Sequence, residues 1–329
     1  MSVITPRQRL EKCLAGEKPD RTPVALWRHF PVDDQTPEGL AAAALNFQRT
    51  FEFDLVKFTP ASSFCLKDWG SLDEWRGATE GTRDYTNCVI HQPEDWTRLK
   101  VLDPTQGHLG AQIESLRILV KALGSDIPVL QTVFSPLSQA KNLVGKNQLL
   151  AHLRLYPEAV HEGLKTISET TIRFVEAILD SGVAGIFYAV QHAQYGLLSE
   201  AEYREFGEEY DRQVLQPAED FWLNMLHLHG VDVMFDLFRD YPIQVINWHD
   251  RETPPSLGEA QKRFDGVLCG GLRREETMVL GTPQDVAAEA RDAIQAADGR
   301  RFILGTGCVT PITAPYGNLM AARKVVERP

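Results

Sequence analysis

The sequence predicts a single (β/α)₈ TIM barrel over residues 1–329, an α/β fold with a hairpin-like insertion after its second strand. Three observations predict it. Eight short β-rich runs recur along the chain, helical stretches alternate with them, and no G-x-G-x-x-G follows the first run. Eight alternating units with right-handed crossovers favour a closed ring over the competing arrangement, a doubly wound open sheet.

The runs are Val24–Trp27, Leu55–Phe58, Val129–Phe134, Gly185–Val190, Met225–His229, Val245–Trp248, Gly266–Gly270 and Phe302–Gly305. Each is nearly continuous in Val, Ile, Leu or Phe, as a parallel strand buried on both faces should be. Between them, Glu200–Asp220, Phe235–Tyr241 and Pro283–Ala297 are amphipathic at helical spacing. Helix starts are signalled at Thr36-Pro37-Glu38, Ser199-Glu200-Ala201-Glu202 and Thr282-Pro283-Gln284-Asp285, where a capping hydroxyl precedes Pro or acids in the first turn. Two helices, Ser138–Arg154 and Pro157–Ser181, fit between the third and fourth strands. The segment Pro60–Gln106 is long for a connection, and its alternation around Gly81-Thr82-Arg83-Asp84-Tyr85 predicts a hairpin flap near one barrel mouth.

Composition narrows the function classes. The five cysteines are odd in number and scattered, which points to a reducing, cytoplasmic setting and not to a disulfide framework. The N-terminal Met1-Ser2-Val3-Ile4 leads into polar residues, so no signal peptide is expected, and no apolar run is long enough to span a membrane. A net charge of −11 argues against nucleic acid as a partner. A soluble enzyme acting on a small-molecule substrate is the expectation.

In a barrel the informative positions lie just past each strand. There stand Trp27, Arg28 and His29 after the first strand, Gln191 and His192 after the fourth, His227 and His229 at the fifth, Asn247, His249 and Asp250 at the sixth, and Cys308 after the eighth. Five of the nine histidines fall in these few places. His227-x-His229 is the strongest signal, because residues i and i+2 of a strand project to one side and can converge on one point. With Cys308 on the same rim they make a Zn²⁺ site with one open tetrahedral position, the arrangement of a catalytic metal. The blander alternative is two imidazoles hydrogen-bonded in a polar mouth. Arg28 is expected to orient an anionic substrate group, or else to pair with an acid such as Asp250. His249 and Asp250 form a candidate acid/base pair, with His249 alternatively supporting a metal ligand. Trp27, His29, Gln191, His192 and Asn247 are candidate substrate contacts.

These residues stand in a chain that resembles the uroporphyrinogen decarboxylase superfamily over essentially its whole length. The resemblance is carried by Thr5-Pro6-Arg7-Gln8-Arg9-Leu10, by Gly16-Glu17-Lys18-Pro19-Asp20-Arg21-Thr22-Pro23-Val24, by Leu197-Leu198-Ser199-Glu200-Ala201-Glu202-Tyr203 and by Leu304-Gly305-Thr306-Gly307-Cys308. The decarboxylase branch carries M-R-Q-A-G-R after the first strand. Here Trp27-Arg28-His29-Phe30-Pro31-Val32 retains only Arg28, and no acid stands at Phe58-Thr59-Pro60. The cobamide-dependent methyltransferase branch builds zinc from H-x-C-G plus a late Cys. His227, Gly230 and Cys308 match, and His229 replaces the first Cys. The resemblance therefore implies a zinc-dependent methyltransferase exchanging a methyl group between a small substrate and a corrinoid on a separate partner protein. Losing one thiolate makes the site more electropositive, opening methyl-ether or other demethylation, or water activation. The rivals are a tetrapyrrole decarboxylase and a non-catalytic binding or assembly subunit. A homodimer is implied by the resemblance alone.

Overall fold

The structure, a computed structural model, describes residues 4–145 and 148–327. Seven parallel strands form its central sheet: β1 (Val56–Phe58), β4 (Val129–Phe134), β5 (Gly185–Val190), β6 (Met225–Leu228), β7 (Val245–Trp248), β8 (Val267–Leu272) and β9 (Phe302–Thr306), neighbours in that order. Between β1 and β4 a separate antiparallel pair, β2 (Leu72–Glu74) and β3 (Asp84–Asn87), stands largely exposed.

The first expected strand, Val24–Trp27, is reduced to a single bridge between Val24 and Leu304. Pro23 has no N–H to offer, and the Val24 N–H donates to the Asp54 side chain at 2.8 Å instead of to a strand neighbour. The segment still joins the two sheet edges. Leu304 N–H donates to Pro23 O and Ala25 N–H to Leu304 O on one flank, and Asp54 N–H donates to Val24 O on the other.

Side-chain alternation shows how the sheet curls. Leu55, Leu130, Phe187, Met225, Val245, Val267 and Ile303 belong to one buried apolar set. Their strand neighbours Val56, Val129, Ile186, Leu226, Ile246, Leu268 and Phe302 belong to another, which also holds helical residues such as Leu164, Val214 and Ala290. The first set is the inside of the curl and the second lies between strands and helices. Leu10 and Cys13, from the helix Pro6–Leu14, complete the inner set.

The Asp20-Arg21-Thr22-Pro23-Val24 stretch has a structural task. Buried Asp54 accepts from Arg9 Nη1 at 2.6 Å, from Arg21 Nη1 and Nη2 at 2.6 and 2.9 Å, and from Val24 N–H. Arg9 in turn holds Asp20 through Nε and Nη2, both at 2.7 Å. All of these groups precede the strands they serve, so the knot belongs to the N-terminal end of the barrel.

Several helices depart from expectation. Ser138–Arg154 is two helices, Pro136–Val144 and Leu149–Leu155, parted at Gly145, and its residues 146 and 147 lie outside the described part. Phe235–Tyr241 is only a short 3₁₀ turn, Phe235–Phe238. Glu200–Asp220 is helical but contains a π segment at Arg204–Glu208. The capping hydroxyls of Thr36, Ser199 and Thr282 each accept from the N3 backbone N–H, as their sequences predict. No helix among the described residues is long and apolar enough to cross a membrane.

Candidate metal centre

The inward parity that begins with apolar residues deep in the barrel continues upward with polar ones. Met225 is followed at i+2 and i+4 by His227 and His229, Val245 by Asn247 and His249, and Leu55 by Lys57. Register sets these residues side by side, since His227 pairs with Asn247 across β6 and β7.

Asn247 fixes the tautomer of His227. Its Nδ2 donates to Cys269 O at 2.8 Å and to Thr306 O at 3.0 Å, so its Oδ1 must face the imidazole. His227 Nδ1 lies 2.7 Å from that oxygen and therefore carries the proton. Its Nε2 is left as a buried lone pair with no hydrogen-bond partner. His249 repeats the arrangement: Nδ1 meets Glu252 Oε2 at 3.1 Å, and Nε2 is buried without a partner. Cys308 approaches from β9, its Sγ 3.6 Å from His229 Nδ1. Gly307 makes this approach feasible, because a Cβ there would lie 2.7 Å from His249 Cα and 2.9 Å from Trp248 O.

The result is four side chains, His227, His229, His249 and Cys308, whose donor atoms all lie within 4.8 Å of one another. Burial pushes the Cys308 thiol up, but the three imidazoles gathered around it, His227 foremost, outweigh burial and hold the thiol well below its usual range. Burial pulls His227 down against the thiolate. For His249 burial also pulls down, yet Cys308 and Glu252 prevail and raise it. Two orphaned buried nitrogens, a third imidazole and an acidified thiol suit a zinc ion in donor type and number. Each orphaned nitrogen is backed by an acceptor on its opposite ring nitrogen, as in carboxylate–histidine–metal relays.

Beside the cluster lies a cavity of about 560 Å³. Trp27, His29, Phe134, Phe187, Gln191, His227, His229 and Cys308 line it, as do Lys57 and the Glu80–Tyr85 part of the insertion. Trp27 meets Phe187 edge-on at 5.3 Å, and Phe187 stacks on His227 at 5.4 Å. The Lys57 ammonium lies 4.7 Å from the centre of the Phe187 ring. Burial pulls it down to about 7, opposed by the charge of Cys308. Burial, reinforced by Lys57, pulls His29 down to about 3, which keeps that ring neutral. Gln191 accepts from Lys141 Nζ at 2.8 Å.

Other expected residues stand elsewhere. Arg28 has the outward parity between Trp27 and His29. Its guanidinium lies over Phe30 and Phe47, at 5.3 and 5.2 Å, in a different cleft. Asp250 is not paired with His249. Its Oδ1 accepts from Gly271 N–H at 3.0 Å, away from the cavity, and burial raises its carboxyl to about 7. His192 is buried behind the lining, and Asn247 holds His227 without lining the cavity. Sequence reasoning assigned His249 to acid/base chemistry although the parity of Val245 and Asn247 already aims it at the cluster. It missed Lys57 altogether, a lysine inside an otherwise apolar strand.

The uroporphyrinogen decarboxylase (URO-D) family model matches residues 5–329. The chain belongs to that family. Within it, the chain is 21% identical over 346 residues to the methylcobamide:CoM methyltransferase of Methanosarcina acetivorans, covering 99% of this chain and 98% of the relative. It is 30% identical over 236 residues to the uroporphyrinogen decarboxylase of Nocardia farcinica, covering 67% and 64% of the two chains. A solved methyltransferase structure from Methanosarcina mazei superposes with a TM-score of 0.84 at 18% identity over 98% of this chain and 99% of that one, a likeness of fold.

Proposed function

We propose that this member of the family is a zinc-dependent methyltransferase that exchanges a methyl group between a small substrate and a corrinoid on a separate partner protein. The observation that carries the reading is the pair of buried, partnerless Nε2 atoms of His227 and His249 converging with His229 and Cys308. Full-length similarity to methylcobamide:CoM methyltransferases supports it, whereas the match to decarboxylases spans a shorter part of the chain.

In this reading His227, His229, His249 and Cys308 would hold the ion. Zinc bound there would supply Lewis acidity toward a substrate heteroatom. Asn247 and Glu252 keep protons on the outer ring nitrogens, so the inner ones stay available as ligands. Trp27 and Phe187 exclude water from the reacting end of the cavity, and Gln191 and the neutral His29 offer polar contacts to the bound molecule.

Elemental analysis of protein purified without added metal tests the reading, with about one zinc per chain expected. Methyl transfer between cobalamin and candidate substrates should follow zinc content. Metal-free protein that turns over a porphyrinogen would replace the reading with a decarboxylase. Metal-free protein that is inert in both assays, in the same fold, would leave a binding subunit.

A further inference from the structure

Arg28 stands apart from the other arginines that are drawn out of solvent. Arg9, Arg21, Arg83 and Arg274 each grip a carboxylate. Arg28 grips none among the described residues. Its Nη1 makes one long contact, to Ile312 O at 3.4 Å, and its Nε is buried with no partner. The rings of Phe30 and Phe47 offset part of the cost of burying the guanidinium, but they leave its N–H groups without acceptors.

The guanidinium borders a cleft of about 460 Å³ outside the ring of strands, between the helices Pro37–Phe51 and Tyr316–Lys324. The exposed face of a surface helix ordinarily carries long polar side chains, yet here Ala42, Asn46 and Thr50 are short and leave the space open. Phe47, Phe51 and Tyr316 make an aromatic wall, with Phe51 centred 4.9 Å from Phe47 and 5.2 Å from Tyr316. Asp33 also lines the cleft. Its negative charge acts on Arg28, but the two make no ion pair. A cation and an anion held apart beside an apolar wall match a zwitterion with an apolar tail. A lone carboxylate would gain Arg28 and be repelled by Asp33, and a lone amine would meet the reverse.

We propose that this cleft is a second small-molecule site, taking an α-amino acid with an apolar side chain. The carboxylate sits on Arg28, the ammonium lies toward Asp33, and the side chain runs along Phe47, Phe51 and Tyr316. The site does not depend on the metal cluster. Trp27 and His29 line the inner cavity and Arg28, between them, serves the outer cleft.

Isothermal titration of L-phenylalanine into the purified full-length protein tests the proposal, with 3-phenylpropionate and phenethylamine as probes that each lack one charge. L-Phenylalanine should bind at about one site per chain and more tightly than either probe. Arg28→Gln should weaken it by about tenfold or more, the scale of one charge-assisted hydrogen bond. Asp33→Asn should weaken L-phenylalanine and strengthen 3-phenylpropionate, a reversal that a general loss of structure does not produce. Asn46→Trp keeps both charges and fills the cleft from the exposed helix face, so it should abolish binding. Lys57→Met, in the inner cavity, should leave binding unchanged. No binding of L-phenylalanine at millimolar concentration would overturn the proposal, as would binding that persists in Arg28→Gln. Binding lost in Lys57→Met but kept in Asn46→Trp would also overturn it, by placing the ligand in the inner cavity. If 3-phenylpropionate binds wild type as tightly as L-phenylalanine does, the amino-acid assignment fails.

Discussion

The two ends of the barrel each bury a cluster of charged or titratable side chains, and they resolve burial in opposite ways. At the N-terminal end Asp54 is saturated: both oxygens accept from arginines and one also takes the Val24 amide. At the mouth, His227 and His249 have one nitrogen satisfied and the other buried with no partner. An unmet buried polar atom costs about 1–3 kcal/mol. A fold that saturates one end and leaves the other unmet is stabilised at the first and awaits a ligand at the second. Barrel architecture gives the same division, stability below and chemistry above.

The comparison breaks most visibly if the mouth turns out to be structural. His249→Ala and Cys308→Ala should each empty the metal site and reduce methyl transfer to background. Their unfolding midpoints in urea should stay near that of the metal-free wild type, and a collapse of the fold would show that the cluster is a structural knot. Asp54→Ala should do the reverse. Removing the only carboxylate that holds Arg21 among the described residues, and one of the two that hold buried Arg9, should cost about 3–5 kcal/mol of unfolding free energy, with zinc content unchanged in the fraction that remains folded. Smaller is Asn247→Ala, which frees the His227 ring. Its expected effect is about a 10–100-fold loss of zinc affinity in a chelator competition, as for other partners of metal-bound histidines.

The smallest effect concerns pH and sharpens where the chemistry ends. Burial raises Asp250 to about 7, so the native state holds its proton more tightly than the unfolded chain does. Stability from this group is therefore present at the acidic end and is lost as pH rises from the usual carboxylate range to about 7. Asp250→Asn keeps the oxygen that accepts from Gly271 and removes the ionisation. Its stability relative to wild type should grow across that window and level off above it, measured as urea midpoints at several pH values. A relative stability independent of pH would return Asp250 to an ionised role.

Much of this was legible in the chain because strand parity is a short-range property. Met225, His227 and His229 announce one inward column, and the reading of two converging imidazoles needed only the period of two. Cys308 could be placed on the rim because it follows a strand directly. His249 was readable by the same rule but was drawn toward Asp250, its neighbour in sequence. Adjacent residues of an extended chain point apart, so that pairing was the less natural one. Arg28 failed for the same reason, being flanked by two residues that face inward. Lys57 was hidden by composition, since a strand that reads as apolar conceals the one side chain that does not belong. The tautomers of His227 and His249 were beyond any sequence argument, because Asn247 comes from a neighbouring strand and Glu252 from the loop that follows His249.

The thin seam at Val24 has a consequence for where the ring opens. Each junction between the seven strands is a ladder of at least three paired residues, whereas the Val24 segment meets β9 through a single bridge and Asp54 through one backbone hydrogen bond. Local opening concentrates where cross-strand bonds are fewest. Trp27 and His29 hang directly beyond that seam, so the wall they form is carried by the least cross-linked stretch of the ring. Local opening is therefore expected first at this stave, with the histidine columns of β6 and β7 keeping their spacing.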